Sequence, residues 1–313
     1  MTTAITMKMT KMAASSRRKV LRGVFFAAAL SLGLAFSGAA AAIPLPEIVE
    51  FPSLDAWNGN DKLILDGYFF RPAQKENVAV VVMFHGCAGA FAASSGQFTK
   101  RFTDATELLL DMGYAVLIVD SFNPRGVAEI CTTPIREREI HNRHRVMDAY
   151  GALRYLNSRP DVEHGKIAGI GFSHGGSNAL SIMDASEGSH RATGQEFAAS
   201  VSMYPGCRYA LGKQPQFSAY GPLLILTGEK DDWTPAAPCK ELAERSKSKG
   251  EPVDIVVYPD AYHAFDATYP VRVRKDVTHG VNGAAGVHVG GNPAARKDAY
   301  ERIRSFFKQH LQP

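Results

Sequence analysis

Ser173 lies in the run Gly171-Phe172-Ser173-His174-Gly175-Gly176. A serine at a sharp strand-to-helix turn needs neighbours without β-carbons two positions to either side, because a side chain there would strike the adjoining strand or helix. Such a turn sets the hydroxyl at the positive end of the next helix, where the backbone N–H of His174 can help hold a developing oxyanion. The chemistry these residues suit is nucleophilic attack on a carbonyl. A bare G-x-S-x-G also fits a glycine-rich turn without chemistry, so the partners of Ser173 decide the matter.

A serine hydroxyl is a poor nucleophile until a base takes its proton, and a histidine base needs an acid to fix its tautomer and stabilise its charged form. Of the ten histidines, His263 directly follows the last expected strand and is assigned as the base. Asp231 opens Gly228-x-x-Asp231-x-x-x-Pro235 and is taken as the acid in preference to Asp232, which then serves as a loop or helix cap. Serine, acid, histidine is the chain order of α/β-hydrolases. The second oxyanion donor is expected in the His85 to Gly89 loop, at the N–H of Cys87. Trp233, Phe91 and Tyr262 are candidates for an acyl pocket. His85 and His174 are expected to support the site rather than react. His141 and His144 are three apart on a helix with no third ligand evident, so no metal site is expected.

These residues need a frame. Lys62 to Arg71 suggests a strand, and Val78 to Phe84 (VAVVVMF) is a continuous apolar run of the kind covered on both faces. Phe98 to Met112 is amphipathic at helical spacing and ends at Gly113. Tyr114 to Val119 and Ile167 to Ile170 are further strands, and residues from about Arg136 to Asn157 a long helix. Ser177 to Met183 is the helix after the serine. Ala198 to Tyr204, Leu223 to Thr227 and Val253 to Tyr258 are the later strands, with helices at Ala237 to Ser248 and Ala294 to Leu311. Alternation of this kind predicts a mostly parallel, doubly wound sheet of about eight strands in a single domain over 43–313. Ligands bind beyond the carboxyl ends of such strands, where Ser173, Asp231, His263 and the His85 loop all fall. Ile43 to Asn60 reads as irregular, and the glycine-rich stretch Thr278 to Asn292 as a mobile surface loop in which His279 and His288 are solvated.

The chain has 313 residues and a formal charge of +4. Six of its 35 basic residues and none of its acids lie in residues 1–42, so the remainder holds 29 basic against 31 acidic residues. That body gives no electrostatic reason to expect nucleic acid or an anionic membrane as partner. Residues 1–42 read as an export leader: Arg17-Arg18-Lys19, an apolar run from Val24 to Phe36, and Ala40-Ala41-Ala42 before Ile43. The paired arginines are similar to a twin-arginine signal, and ordinary secretory leaders also begin with basic residues. A periplasmic or secreted protein without a membrane anchor is the expectation. All four cysteines lie beyond the leader and allow three disulfide connectivities or four free thiols. Cys87 with Cys131 and Cys207 with Cys239 are favoured, because each pair would join loops on the same edge of the sheet.

Taken together, the His85-Gly86 loop, Asp120-Ser121-Phe122 with Pro124-Arg125-Gly126, the Ser173 turn, Gly228-Glu229-Lys230-Asp231 and Tyr262-His263-Ala264-Phe265 make residues 60–312 resemble the dienelactone hydrolase family of α/β-hydrolases. The resemblance implies an eight-stranded sheet, a Ser/Cys-Asp-His triad and hydrolysis of esters or lactones without a cofactor. Members that open dienelactones carry a cysteine nucleophile, a glutamate in the early loop and an arginine shortly after the histidine. Here those positions hold Ser173, His85 and Asp266, and Arg125 is left as a candidate for an anionic substrate group. An exported serine hydrolase of small-molecule carboxylic esters or lactones is the leading expectation. The alternatives are a thioesterase or peptidase with the same triad, and a non-catalytic binding protein on the same scaffold.

Overall fold

In the computed structural model, which describes residues 43–59, 63–73, 76–186 and 194–311, the run Val78–Phe84 is a strand with every residue buried. Successive side chains of a strand point to opposite faces. Val78, Val80, Val82 and Phe84 therefore enter one apolar core, and Ala79, Val81 and Met83 the other. A residue of this size contributes about 1.5–3 kcal/mol when fully buried, so this strand anchors both layers.

Around it lie β1 (Glu47–Pro52), β2 (Ile64–Phe70), β3 (Val78–Phe84), β4 (Ala115–Asp120), β5 (Val162–Phe172), β6 (Ser200–Met203), β7 (Leu223–Gly228) and β8 (Val253–Tyr258) in one sheet of order β1-β2-β4-β3-β5-β6-β7-β8. The pairs β1/β2 and β2/β4 are antiparallel and all others are parallel. Helices α1 (Lys100–Asp111) and α6 (Pro293–Leu311) cover one face. Helices α2 (Asn142–Asn157), α3 (His174–Ser181) and α5 (Ala236–Ser248) cover the other, and α4 (Arg208–Gly212) is a short turn beside α5. The expected eight-stranded, mostly parallel α/β sheet is what the chain forms.

Two expectations need correction. Ile43 to Asn60 is not irregular throughout, since β1 pairs with β2 from Glu47↔Phe69 to Pro52↔Ile64. Val49 and Phe51 face the core while Ile48 is exposed, a period-two pattern hidden by the flanking Pro46 and Pro52. The second concerns Thr278 to Asn292. It contains β10 (Val287–Val289), which pairs antiparallel with β9 (Arg272–Arg274), and Val287 and Val289 are buried. Glycine here permits close packing: a β-carbon on Gly286, whose φ is +87°, would lie 2.4 Å from the Arg274 carbonyl oxygen.

The leader expected over residues 1–42 lies outside the described residues. Among the described residues no helix is long and apolar enough to cross a membrane. Both favoured disulfides are present, Cys87–Cys131 and Cys207–Cys239.

Candidate active site

The chain passes from β5 to α3 through Ser173 at φ 57° and ψ −116°, a conformation costly for a residue with a side chain. The cost is borne because the turn is closely packed. A β-carbon on Gly171 would sit 1.9 Å from the Gly175 carbonyl oxygen, and one on Gly175 would sit 2.1 Å from that of Phe84. The Ser173 N–H donates to the Met203 carbonyl, and the Ser177 N–H donates to that of Ser173, so both ends of the turn are held.

Three side chains from separate strand ends meet at this turn. His263, beyond β8, has Nε2 at 2.9 Å from Ser173 Oγ and Nδ1 at 2.8 Å from Asp231 Oδ2. A neutral imidazole that donates from Nδ1 to the carboxylate presents an acceptor at Nε2 to the hydroxyl. Asp231, beyond β7, is fixed by its other contacts: Oδ1 accepts the N–H groups of Trp233 and Thr234, and the Thr234 hydroxyl lies 2.9 Å from Oδ2. The His263 ring is 4.8 Å from that of Trp233 and 4.9 Å from that of Tyr204, so packing also fixes its plane. Asp231 and His263 are both buried.

Asp232 turns elsewhere. Its carboxylate accepts the His288 N–H at 2.8 Å, lies 2.7 Å from His288 Nδ1, and accepts from Asn282 Nδ2. The Asp232 carbonyl accepts the Val281 N–H, and the His263 carbonyl that of Gly290. The β9–β10 excursion thus holds the loops of both Asp231 and His263 from outside, and His288 is not the solvated residue expected. His279 is not free in solvent either. It accepts from Trp233 Nε1 at 3.1 Å and lies beside the Arg138 guanidinium, and burial, followed by the charge of Arg138, pushes its pKa down to about 4.

The turn on the other side of Ser173 is supported by Arg145, which the sequence reading missed. Its guanidinium, with no exposure, donates to the His85 carbonyl at 2.6 Å and lies 2.7 Å from His174 Nδ1. Burial, only partly offset by the Asp148 carboxylate, brings its pKa down to about 9. One side chain therefore ties the loop after β3 to the residue after Ser173. An apolar-run reading of α2 gives no hint of it, because a charged residue on the buried face departs from the helical pattern. His85 itself is buried. Its Nδ1 donates to the Gly86 carbonyl and its Nε2 accepts the Ser121 N–H, while burial, then Arg145, lowers its pKa well below the usual value.

Two cavities open at Ser173. One of about 320 Å³ is lined by His263, Tyr204, Trp233, Arg101 and Asp266 with Cys87 at its edge. The other, of about 210 Å³, also touches Ser173, Cys87 and Trp233 and is bounded by His174, Arg138 and Arg208. Cys87, His174 and Trp233 are thus brought to the site. Arg125 and Tyr262 are not. Arg125 is buried in a two-pronged ion pair with Asp148, at 2.7 and 2.8 Å, donates to the Ser121 carbonyl and lines neither cavity. Tyr262 stacks on His288 at 4.9 Å and lines neither cavity, and Phe91 belongs to an aromatic cluster with Tyr68 and Phe98. Asp266 takes two hydrogen bonds from Arg101 and one from the Tyr204 hydroxyl. His141 caps α2 and His144 lies in its first turn, where His144 Nδ1 accepts the His141 N–H.

Comparisons with known proteins agree with the fold. The model of the "Dienelactone hydrolase family" matches residues 65–311. A Bradyrhizobium protein described as "Probable 2-oxo-3-(5-oxofuran-2-ylidene)propanoate lactonase" is 23% identical over 235 residues, 69% of this chain and 86% of that protein. Among solved structures, the dienelactone hydrolase-like promiscuous phosphotriesterase P91 from metagenomic libraries superposes with a TM-score of 0.60 at 17% identity, covering 85% of this chain and 99% of that one. Thermogutta terrifontis esterase 2 phosphorylated by paraoxon gives 0.57 at 19% identity, covering 87% and 97%. At these identities the structural likeness shows the fold, that of the α/β-hydrolases.

Proposed function

The chain belongs to the dienelactone hydrolase family, and from that premise we propose that it is an exported serine hydrolase acting on small-molecule carboxylic esters or lactones. The observation that carries the reading is the relay itself: His263 stands 2.9 Å from Ser173 Oγ through one nitrogen and 2.8 Å from Asp231 through the other. The lactonase description of the Bradyrhizobium relative supports a carboxylic ester as substrate class. The export leader read in residues 1–42 and two disulfides support an oxidising compartment.

In the proposed mechanism Ser173 Oγ attacks the scissile carbonyl carbon as His263 Nε2 takes its proton, and Asp231 stabilises the imidazolium. The tetrahedral oxyanion is held by the backbone N–H groups of His174 and Cys87. Collapse expels the alcohol oxygen, which takes the proton from His263 and leaves an acyl group on Ser173. Water, deprotonated by His263, then attacks the acyl carbon; the carboxylic acid departs and the Ser173 proton is restored.

Fluorophosphonate labelling followed by peptide mapping tests the reading. Label on Ser173 and turnover of p-nitrophenyl esters, both lost in Ser173→Ala, are expected. Absence of label with intact ligand binding would assign the chain as a non-catalytic binding protein. Acyl-thioesters or aminoacyl anilides turned over faster than esters would move the substrate class.

A further inference from the structure

Thr234 stands against both the acid and the base of the relay. Its hydroxyl oxygen lies 2.9 Å from Asp231 Oδ2, 3.0 Å from His263 Nδ1 and 3.0 Å from the Tyr204 carbonyl oxygen. A threonine hydroxyl carries one proton and two lone pairs, whereas an ionised carboxylate and a carbonyl only accept. One hydroxyl proton therefore faces two acceptors, and the Nδ1–H of His263 is the third group in reach. Tyr204 has the stronger need of that proton. Its carbonyl accepts no backbone N–H among the described residues, and a buried carbonyl left unpaired is unfavourable. Asp231 already holds the N–H groups of Trp233 and Thr234 on Oδ1 and faces His263 through Oδ2.

With its proton on the Tyr204 carbonyl, the Thr234 oxygen turns a lone pair towards His263 Nδ1. The contacts of 2.8 and 3.0 Å from Nδ1 are then one N–H shared between Asp231 and Thr234. We propose that Thr234 is a positioning residue of the relay, which gives the Nδ1–H of His263 a second acceptor and so favours the imidazolium that forms as Ser173 gives up its proton. This rests on the hydrolase reading above and adds a fourth member to its relay. The placement is built into the chain. Pro235 disfavours helical backbone at Thr234, the β-branched side chain has few rotamers, and the Thr234 N–H is fixed on Asp231 Oδ1. Tyr204 takes a φ of 37°, an uncommon value for a residue with a side chain, and there presents its carbonyl to Thr234 while its ring packs on His263.

The sign of one shift tests this. An acceptor on Nδ1–H stabilises the charged ring, so Thr234→Val, which keeps the shape and removes the oxygen, should make His263 protonate at lower pH. A hydroxyl that instead donates to Asp231 weakens the hold of the carboxylate on the ring, and its loss should move protonation to higher pH. Around the ring stand Ser173, Asp231 and the rings of Tyr204 and Trp233, with the neutral His279 behind Trp233. Charges further out, Arg101 with Asp266 behind Tyr204 and Arg274 over Trp233, are left in place by the substitution. NMR titration of the His263 Cε1–H signal reads the shift without turnover, and Thr234→Ser should restore the wild-type curve. With p-nitrophenyl butyrate, Thr234→Val should lower kcat about tenfold with little change in KM and move the acid limb of kcat/KM to lower pH, while Thr234→Ser stays within about threefold of wild type. A downward NMR shift in a protein that hydrolyses no ester supports the second acceptor and counts against the hydrolase reading. An unmoved or upward shift in folded Thr234→Val overturns the second acceptor even where esters are cleaved, and Thr234→Ala carries the same titration should Thr234→Val fail to fold.

Discussion

Asp231 and Asp232 are consecutive, yet their carboxylates engage different histidines: Asp231 Oδ2 lies 2.8 Å from His263 Nδ1 and Asp232 Oδ2 lies 2.7 Å from His288 Nδ1. The first contact touches the candidate catalytic base and the second the excursion that supports it. Asp231→Asn should lower kcat by about 10³–10⁴, because the amide favours the wrong imidazole tautomer. Asp232→Asn should cost less than about tenfold. Steady-state hydrolysis of p-nitrophenyl butyrate checks the pair, and a larger loss in Asp232→Asn would reverse the assignment.

Arg145 supports both halves of the proposed oxyanion site, through the His85 carbonyl and His174 Nδ1. Arg145→Met keeps much of the side-chain length and removes both donors. A fall in kcat of about 10²-fold with little change in KM is expected, in line with the loss of one oxyanion contact. A lowered Tm with unchanged kcat would show that the residue only braces the fold.

Acid should destabilise the protein through its buried neutral histidines. Burial, then Arg145, depresses the pKa of His85 and His174 in the folded chain, whereas in the unfolded chain each titrates near the ordinary value of about 6.5. Below that pH the unfolded state binds more protons. Stability is therefore full above about pH 6.5 and declines as pH drops, by up to about 1.4 kcal/mol per pH unit for each such histidine. Tm at pH 5.0 should lie about 4 °C or more below its value at pH 7.5. A level or rising Tm would contradict the neutral burial of these rings.

The disulfides should separate by function. They close spans of 44 and 32 residues, for which chain entropy gives a stabilisation of about 4 kcal/mol each. Replacing either pair by alanine should lower Tm by roughly 5–15 °C. Only Cys87→Ala/Cys131→Ala should also lower kcat, since Cys87 belongs to the loop that faces Ser173. Non-reducing peptide mapping checks the pairing itself.

The parts of this site that were legible in the sequence are those tied to strand ends. Val78–Phe84 announces a doubly covered strand by its unbroken apolar run, and the glycines around Ser173 announce the turn by the room they leave. Asp231 and His263 follow from their positions after β7 and β8. The residues missed or misread are those whose role depends on contacts distant in the chain. Arg125 is offered to a substrate by its sequence context and taken by Asp148 in the fold, and no motif marks Arg145 or Arg138. The glycine-rich 278–292 segment misled because glycine permits close backbone packing as readily as motion.

That segment also sets where the molecule is vulnerable. Arg272 and Lys275 stand exposed on the β9–β10 excursion, while its far end grips Asp232 and the His263 carbonyl. A trypsin-like protease that nicks the backbone there leaves the eight-stranded sheet uncut and slackens the outer brace of the proposed relay. Limited digestion should then abolish turnover while far-UV circular dichroism stays native, a route to irreversible silencing that needs no unfolding.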